Sequence, residues 1–381
     1  MSIGREEKVE AGLPYTPHTT GRLFDPVSIA GLQLPNRIVR AATFEKRADE
    51  NGAVTLELLD FYREAAEGGP GLIITGAALV HPSGRTLRQM ISAHADSFSD
   101  DLKSLADTIH KANGIAALQL FHGGRHSPPR AINWEAPLAP SEVFDKSTNT
   151  RPRAMSEPEI EQMVYAFASA ASRAYSSGFD AIELHAAHGY LISSFLSPRT
   201  NLRDDYWGGD EERRSHFIEE ILKAVRETVG RDFPIIIKLN ADDQMPGGIT
   251  PEEAARIAWK MELAGADAIE VSGGTRESDP PVIRKKIKGD EAEGYYRASG
   301  RLFKQTLSIP VILTGGFRTR AAMEQALEAG EADLIGMFRP LVCEPDLPKK
   351  LFEGAEGSVC TSCNKCARYS RIDSVRCLEQ F

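Results

Sequence analysis

The strongest constraint on the fold is a series of eight short apolar runs, most of which follow a helical segment that ends near a glycine. Strands that are apolar throughout and alternate with helices predict a parallel sheet covered by helices. Eight such units in 381 residues favour a closed (β/α)8 TIM barrel, in the α/β class, over an open doubly wound sheet. The runs cover residues 38–43, 72–80, 116–121, 181–185, 235–240, 268–272, 311–314 and 333–337.

Three of the helix-to-strand joins share one pattern, in which a helix stops at a glycine and a strand starts at or just after an aspartate. Glycine favours such ends because it adopts the left-handed backbone that terminates a helix. Residues 23–37 predict a short hairpin that closes the bottom of the barrel. We divide the chain into an N-terminal extension (1–21), one barrel (22–350) and a cysteine-containing tail (351–381). The three pairs are Gly178 with Asp180, Gly265 with Asp267, and Gly330 with Asp333.

Composition argues against several classes of partner. The chain has 54 acidic and 45 basic residues, a net charge of −9 and scattered basic residues, which argues against nucleic acid. No apolar run approaches the roughly 20 residues that a membrane span needs, and residues 1–20 lack the apolar core of a secretory signal. We therefore expect a cytoplasmic protein that acts on a small molecule. A homo-oligomer is left open.

Polar residues after the fourth run form the most informative motif. In a (β/α)8 barrel the chemistry lies at the carboxyl ends of the strands, where His185, His188 and Tyr190 follow the fourth run. Two imidazoles and a phenol supply two hydrogen-bond donors and one proton source. Those groups can polarise a carbonyl and protonate the carbon beside it. The alternatives are structural histidines with a packed tyrosine, or a metal-binding pair, although zinc pairs on helices are more often four apart.

The loops after the last three runs predict a phosphate site. Gly274 follows the sixth run, and Gly315 and Gly316 follow the seventh. Glycine lets backbone N–H groups approach an anion closely. Arg339, after the eighth run, adds a planar fork of donors. The alternative is that these glycines only form tight turns.

Two more polar side chains belong to strands that face the same end of the barrel. Gln119 lies on the third run and Lys238 on the fifth. A lysine in an apolar strand is a costly charge to bury. It either neutralises an anionic ligand, such as a phosphate or a reduced isoalloxazine, or forms a salt bridge with Asp242 or Glu270.

At this point the residues resemble a known family. Residues 185–209, HAAHGYLISSFLSPRTNLRDDYWGG, are similar to the signature of the Old Yellow Enzyme family of FMN-dependent oxidoreductases. Further matches lie, in order, at 23–26, 36–39, 119–125, 311–316, 332–335 and 339–340, so the resemblance covers about residues 22–350. The family's FMN-binding (β/α)8 barrel agrees with the fold predicted from the eight runs.

The resemblance implies contacts with the flavin. Ala77 and Gln119 would contact its pyrimidine edge, and Lys238, where the family usually has arginine, would lie beside flavin N1. Thr43 lies one place earlier than the family's residue near the flavin, and Phe44 occupies that place. The residues implied to hold the FMN phosphate are Gly274, Gly315, Gly316 and Arg339.

The resemblance also implies a reaction. NADH or NADPH reduces FMN and leaves, and an electron-poor alkene such as an enone or enoyl compound then takes the hydride. His185 and His188 would bind the substrate oxygen, while Tyr190 protonates the α carbon. One alternative is an FMN and iron–sulfur enzyme that oxidises or demethylates an amine and passes electrons to a separate partner. Others are a non-redox lyase that uses Lys238 as a Schiff base, and a non-catalytic flavin-binding subunit.

The tail carries a second motif of four cysteines, Cys360, Cys363, Cys366 and Cys377. Their spacing suits a [4Fe–4S] cluster or an all-cysteine zinc site. It resembles the cluster motif in larger relatives of the family, such as trimethylamine dehydrogenase and dienoyl-CoA reductases. A vestigial site and free thiols are the remaining alternatives. Cys343, in an apolar setting, is expected to be a small buried core residue.

Overall fold

Eight parallel strands close into a barrel in the computed structural model, which describes residues 22–287, 289, 292–368 and 371–379. Each strand pairs with the next, and the eighth pairs with the first. The predicted barrel is therefore confirmed, and the open sheet is wrong. The predicted extension at 1–21 lies outside the described residues. The barrel strands are Ile38–Arg40, Leu72–Ile74, Ala116–Phe121, Ala181–Ala186, Ile235–Asn240, Ala268–Ser272, Val311–Thr314 and Leu334–Met337.

The second apolar run differs from the prediction because it is broken in two. Leu72–Ile74 and Ala78–Leu79 both pair with the third barrel strand. Between them, the N–H of Gly76 donates to the buried carboxylate of Glu45 at 2.7 Å. A Cβ at Gly76 would lie 2.2 Å from that carboxylate, so only glycine permits this approach.

Helices cover the outside of the barrel, because each buries an apolar face against the strands. Their starts carry the expected caps; for example, the Thr250 side chain accepts from the N–H of Glu253, and Pro251 occupies the first turn. None of the helices in the described ranges is long and apolar enough to cross a bilayer. The helices are Leu56–Glu67, Ser99–Lys111, Glu157–Ser176, Leu191–Leu196, Glu211–Val229, Pro251–Leu263, Arg297–Thr306, Arg320–Glu328, Arg339–Cys343 and Leu347–Phe352.

The predicted hairpin closes the bottom of the barrel. Val27–Ile29 pairs antiparallel with Leu32–Leu34, and the two turn residues between them both have positive φ, as tight hairpins require. Ile29 and Leu34 are fully buried and cluster with residues near the amino ends of the barrel strands. The hairpin therefore seals the end of the barrel that faces away from the predicted site.

The barrel interior is divided into an apolar floor and a polar layer, because strand side chains alternate between the interior and the helices. The floor, which packs on the hairpin, includes Ala117, Ala181, Ile236, Ala268, Ile312 and Leu334. The polar layer comes from the residues two places further along the same strands. It includes Gln119, Glu183, Lys238, Glu270 and Thr314.

The Gly–Asp joins found in the sequence form a repeated backbone clasp. Gly265 has a φ of +106°, the left-handed conformation that ends the preceding helix. Asp267 then donates its N–H to the carbonyl of Ile235, at the start of the preceding barrel strand, and its carboxylate accepts from the N–H of Ile235. Asp180 with Ala116, and Asp333 with Val311, repeat both hydrogen bonds.

A basic residue from a neighbouring helix completes each clasp. Arg226 donates to Asp267 at 2.6 Å, and Lys304 donates to Asp333 at 2.8 Å. His110 Nε2 lies 2.8 Å from Asp180. The clasp thus ties a helix and two adjacent strands at one point.

We predict that Asp267→Ala lowers the free energy of unfolding by about 1.5–3 kcal/mol, since it leaves the N–H of Ile235 without its charged acceptor. Asp267→Asn, which keeps one oxygen acceptor, should lose less. Urea denaturation followed by circular dichroism measures both. Asp60→Ala, which removes a pair with Arg63 on an exposed helix surface, is the control and should change stability by under about 0.5 kcal/mol. Equal losses in the Asp267 and Asp60 variants would refute the structural role of the clasp.

Candidate active site

A large cavity of about 1210 Å³ opens at the carboxyl ends of the barrel strands. Most of the residues predicted for the flavin and substrate site line this cavity, although they come from seven of the eight barrel strands and the loops after them. The convergence depends on closure of the barrel, which brings the ends of all the strands around one axis. The predicted residues that line it are Thr43, Ala77, Gln119, His185, His188, Tyr190, Lys238, Gly316 and Arg339.

Gly274 and Gly315, which were predicted to hold a phosphate, are not part of the described cavity wall. The N–H of Gly274 donates to the carbonyl of Asp242 at 2.8 Å, and its φ is +77°. The carbonyl of Gly315 accepts from the N–H of Tyr295 at 3.0 Å. Gly316 and Arg339 are the predicted phosphate residues that line the cavity, and the assignment of Gly274 and Gly315 to the phosphate stays a prediction.

A left-handed turn after the fourth barrel strand positions the histidine and tyrosine side chains. His185 lies on the strand Ala181–Ala186. His188 and Gly189 follow with φ of +63° and +77°. This conformation is unfavourable for a residue with a Cβ and has to be held by its surroundings. The N–H of His188 donates to Asn240 Oδ1 at 3.0 Å, so the end of the fifth barrel strand holds the turn in place.

The rings of His185, His188 and Tyr190 form one cluster on the cavity wall. The centroid of His185 lies 5.1 Å from that of His188 and 5.0 Å from that of Tyr190, both in edge-to-face contact. Phe121 packs against Tyr190 at 4.6 Å. Edge-to-face packing restricts how these rings rotate. The two imidazoles and the phenol are therefore side by side with fixed orientations.

Both imidazoles are neutral at ordinary pH. Burial lowers the pKa of His185 well below its usual value and lowers the pKa of His188 to about 3. His185 Nδ1 accepts from the N–H of Ala187 at 3.3 Å, which leaves the proton on Nε2. His188 Nε2 lies 2.8 Å from Ser272 Oγ. Burial also raises the pKa of Tyr190, so its hydroxyl keeps its proton.

Lys238 lies beneath the cavity in an ion pair with Glu270. Its Nζ donates to Glu270 Oε1 at 2.6 Å, and Thr314 Oγ1 donates to the same oxygen at 2.8 Å. Lys238 and Glu270 are paired in register on adjacent strands. Burial alone would lower the pKa of Lys238, but the charge of the Glu270 carboxylate and its hydrogen bond raise it, so the ammonium stays charged. The proposed salt bridge is therefore present, and Lys238 also lines the cavity.

A second buried acid, Glu183, lies in the same layer and stays protonated, so that it adds no second negative charge beside the ion pair. Burial raises the pKa of Glu183 well above its usual value, and the neighbouring Glu270 raises it further. Burial acts on Glu270 in the same direction, but Lys238 outweighs it and lowers the pKa of Glu270. Gln119 Nε2 donates to Glu183 Oε2 at 2.5 Å. The layer thus holds one positive and one negative charge, with Glu183 neutral.

A histidine–aspartate pair lies behind Tyr190. His126 Nδ1 and Asp145 Oδ2 are 2.7 Å apart, and both side chains are fully buried. The ring of His126 lies 5.7 Å from that of Tyr190. Thr148, which lines the cavity, donates to Asp145 Oδ2 at 2.7 Å. This pair therefore supports the wall that carries the phenol.

The tail packs against the part of the cavity wall that carries Arg339. Arg339 donates to the carbonyl of Arg284 at 2.7 Å and to Asn364 Oδ1 at 2.5 Å. Arg318 donates to the carbonyl of Cys360 at 3.1 Å. The segment that carries the cysteines is therefore anchored to the barrel through Arg318 and Arg339.

Five cysteines line one small cavity beside this contact. Cys343, which was expected to be buried in the core, is instead partly exposed, and its Sγ lies 3.5 Å from that of Cys377. Within the described ranges, no group of three or more His, Cys, Asp or Glu side chains is arranged around a single metal ion. The other members are Cys360, Cys363 and Cys366.

The sequence analysis did not identify most of the residues that position the predicted site side chains. Asn240 and Ser272 were visible only as polar residues that end the fifth and sixth runs. Glu270 could be named as a candidate from the sequence because a buried lysine such as Lys238 needs an acidic partner. Nothing in the sequence indicated that Asp145 contacts His126, because that contact forms between two loops.

Comparison with known proteins identifies the family. The NADH:flavin oxidoreductase / NADH oxidase family model matches residues 22–357. A metal reductase of Desulforamulus reducens is 38% identical over 360 residues, which are 93% of this chain and 53% of that protein. An NADPH dehydrogenase of Clostridium acetobutylicum is 33% identical over 326 residues, 85% of this chain and 92% of that protein.

A solved structure shares the fold over nearly the whole chain. The complex of 2-naphthoyl-CoA reductase with 2-naphthoyl-CoA superposes with a TM-score of 0.87 at 30% identity, over 93% of this chain and 56% of that one. The chain thus spans about half the length of this protein and of the metal reductase. Because the family model matches most of the chain and the barrel carries the expected cavity, the chain belongs to the NADH:flavin oxidoreductase / NADH oxidase family, that of Old Yellow Enzyme.

Proposed function

We propose that the protein reduces electron-poor alkenes with electrons from NADH or NADPH in a ping-pong cycle. The observation that carries this proposal is the ring cluster of His185, His188 and Tyr190 on the wall of the large cavity. It combines two neutral N–H donors with a protonated phenol, which are the groups that conjugate reduction of a carbonyl compound requires.

The residues around the cavity fit FMN. Thr43 Oγ1 is buried without a hydrogen-bond partner in the described part of the chain, and Thr43 lines the cavity, so a polar ligand edge would satisfy it. We assign Thr43, Ala77 and Gln119 to the ring edge and Lys238 to the side that carries negative charge when the ring is reduced. When bound, FMN supplies the hydride chemistry.

Gly316 and Arg339 are the residues that we assign to the FMN phosphate. Gly316 brings a backbone without a side chain to the cavity wall, and the guanidinium of Arg339 lies on the same wall. Gly274 and Gly315 stay predictions as phosphate residues, with turn contacts that account for the conformation of Gly274.

The side chains of the ring cluster divide the work on the substrate. Nε2–H of His185 and an N–H of His188 bind the carbonyl or nitro oxygen and withdraw electron density from the double bond. Because both imidazoles are neutral, they donate hydrogen bonds without giving up protons. Tyr190 holds the proton that the α carbon needs, and Phe121 fixes the direction of its ring.

An anaerobic flavin experiment tests the proposal. The purified, FMN-loaded protein should bleach with NADH or NADPH, and cyclohexenone should then restore the oxidised spectrum. Failure of every activated alkene to restore it, with turnover of an amine such as sarcosine instead, would overturn the proposal in favour of amine oxidation. Failure to bleach would leave the lyase and the non-catalytic alternatives.

Tyr190→Phe should slow alkene reduction by about 100-fold, because it removes a general acid. Flavin reduction by the nicotinamide should change by less than about twofold, since that half-reaction needs no proton on carbon. Stopped-flow measurements of the flavin absorbance, made separately for the two half-reactions, distinguish the two effects. An equal loss in both half-reactions would rule out Tyr190 as the proton donor.

His185→Ala should weaken binding of a phenol to the oxidised enzyme by roughly tenfold, the value of one hydrogen bond to a charged oxygen. Burial depresses the pKa of both imidazoles, so neither gains a proton as the pH falls from 8 to about 6. The ratio of wild-type to variant affinity should therefore be the same at both pH values. Titration of the flavin band measures it, and the control is His216→Ala, at a partly exposed histidine on a barrel helix outside the cavity wall. A ratio that changes with pH would show that His185 binds as a cation.

We further propose that Cys360, Cys363, Cys366 and Cys377 hold a [4Fe–4S] cluster. Support comes from the spacing of the four cysteines in the sequence and from the four thiols that line one cavity. An electron-transfer partner would then be external to the residues described.

Protein purified without oxygen should contain about four iron and four sulfide per chain. Cys366→Ser should remove most of both, whereas Cys343→Ser should leave both unchanged, because Cys343 lies outside the four-cysteine motif. Iron, sulfide and zinc are measured on the same samples. One zinc per chain without sulfide would establish the zinc alternative, and neither metal would establish free thiols.

A further inference from the structure

A fifth cysteine lies beside the four-cysteine motif, and none of the roles assigned above uses it. Cys343 ends the helix Arg339–Cys343 and lines the same small cavity as the motif cysteines. Its Sγ lies 3.5 Å from that of Cys377. Among the cysteines of the described ranges, no other two thiols are hydrogen-bonded to each other. Cys343 and Cys377 are therefore a distinct thiol pair within the group of five.

Apolar packing next to the two thiols holds the tail against the barrel. Val342 directly precedes Cys343, and Val375 lies two places before Cys377. Both valines belong to one buried cluster, in which Val375 is fully buried. Burial of apolar side chains is the main favourable contribution to such packing. The chain segments that carry the two thiols are therefore held together directly beside the sulfurs.

Hydrogen bonds from the barrel fix the tail shortly before Cys377. The N–H of Val375 donates to the carbonyl of Glu45 at 2.9 Å. The guanidinium of Arg47 donates to the carbonyl of the same valine at 2.9 Å. Both backbone groups of Val375 are thus paired with the loop after the first barrel strand, and Cys377 follows two residues later. The sulfur–sulfur contact is therefore a consequence of how the tail packs on the barrel.

Exposure to solvent separates the pair from most of the motif. Cys343 and Cys377 are both partly exposed, whereas Cys360 and Cys366 are each only 8% exposed. Thiol–disulfide exchange requires that the attacking sulfur can reach the oxidant. Cys363, the third partly exposed thiol, accepts a backbone N–H at 3.5 Å. A small oxidant therefore reaches the pair more easily than it reaches the buried thiols of the motif.

We propose that Cys343 and Cys377 form a reversible disulfide bond when the cysteine site is empty, and that this modification removes Cys377 as a metal ligand. The two sulfurs have to approach by only about 1.5 Å to reach the roughly 2 Å of a disulfide bond. Metal ions are bound by thiolates, and a sulfur in a disulfide is no longer one. The disulfide and a metal held by Cys377 therefore exclude each other. The exclusion rests on the metal site proposed above, whereas the disulfide itself does not.

The oxidant is a low-molecular-weight disulfide such as glutathione disulfide. The thiolate of one cysteine attacks it and releases one glutathione, which leaves a mixed disulfide on the protein. The second cysteine then attacks the protein sulfur, closes the bond and releases the second glutathione. Together the two cysteines lose two electrons and two protons, and glutathione disulfide gains both. Excess free thiol reverses the two steps.

Peptide mapping tests the disulfide directly. The FMN-loaded protein is freed of metal with a chelator, reduced, transferred to glutathione disulfide, then denatured and alkylated with N-ethylmaleimide. Two of the five thiols should become unreactive, and a non-reducing digest should contain one peptide pair joined through Cys343 and Cys377. Five reactive thiols, or a bond within the motif such as Cys360 with Cys363, would overturn the proposal.

Two serine variants separate the steps of the exchange. Cys343→Ser lacks the second sulfur, so it should stop at the mixed disulfide and retain one glutathione on Cys377, as measured by intact mass. The matched control is Cys363→Ser, which removes the other partly exposed thiol and should form the crosslink at the wild-type rate. Formation of a disulfide at Cys377 in the Cys343→Ser protein would show that its partner is a motif cysteine, and would refute the pair.

Loading with metal tests the exclusion. Protein reconstituted with iron and sulfide should form the crosslink at least about tenfold more slowly than metal-free protein, because the cluster occupies the Cys377 thiolate. Equal rates would show that Cys377 is not a ligand, and the exclusion would be wrong. If the reduced protein takes up neither iron with sulfide nor zinc, the proposed metal site fails, and the peptide map still decides the disulfide.

Discussion

The buried ion pair between Lys238 and Glu270 is the interaction on which the rest of the site depends. Each charge alone inside the barrel would be destabilised by several kcal/mol. At 2.6 Å, with Thr314 donating to the same carboxylate, the two charges compensate each other. Glu183 then stays protonated because a second negative charge would have no partner. The polar layer is therefore formed as one unit, with a positive group held rigidly under the cavity.

The residues that stabilise the barrel and the residues that line the candidate site lie at opposite ends of the barrel axis. The hairpin and the apolar floor pack together at the amino ends of the strands. Each of the three aspartate clasps ties one helix to two strands at the same end. The opposite end of the barrel carries features that are unfavourable in free energy, such as the left-handed turn at His188 and the group of like charges in the cavity wall. The tail adds to that end twice, through Arg368 and Arg371 in the cavity wall and through its contacts with Arg339.

Prediction from sequence succeeded where local patterns and barrel geometry are enough. The eight apolar runs predicted all eight strands, because parallel strands buried on both faces have a distinctive composition. The Gly–Asp joins predicted the clasp positions. The sequence did not predict which hydrogen-bond partner each backbone group in the loops takes. The N–H of Gly274 donates to Asp242 in the structure, and no pattern in the sequence indicates which acceptor a glycine N–H takes. Cys343 was misjudged because its neighbours in sequence are apolar, whereas its neighbours in space are thiols.

The sequence by itself determined the barrel, the order of its strands and the residue types at their carboxyl ends, since these follow from periodicity and from strand alternation. Only the tertiary structure decided which polar residues meet. It paired Lys238 with Glu270 rather than Asp242, held His188 with Asn240 and Ser272, and brought Arg130, Arg276 and the tail arginines around one opening. The physical reason is that closure of the barrel sets distances between residues far apart in sequence. Charge and hydrogen-bond energies depend on those distances, and the order of residues along the chain does not contain them.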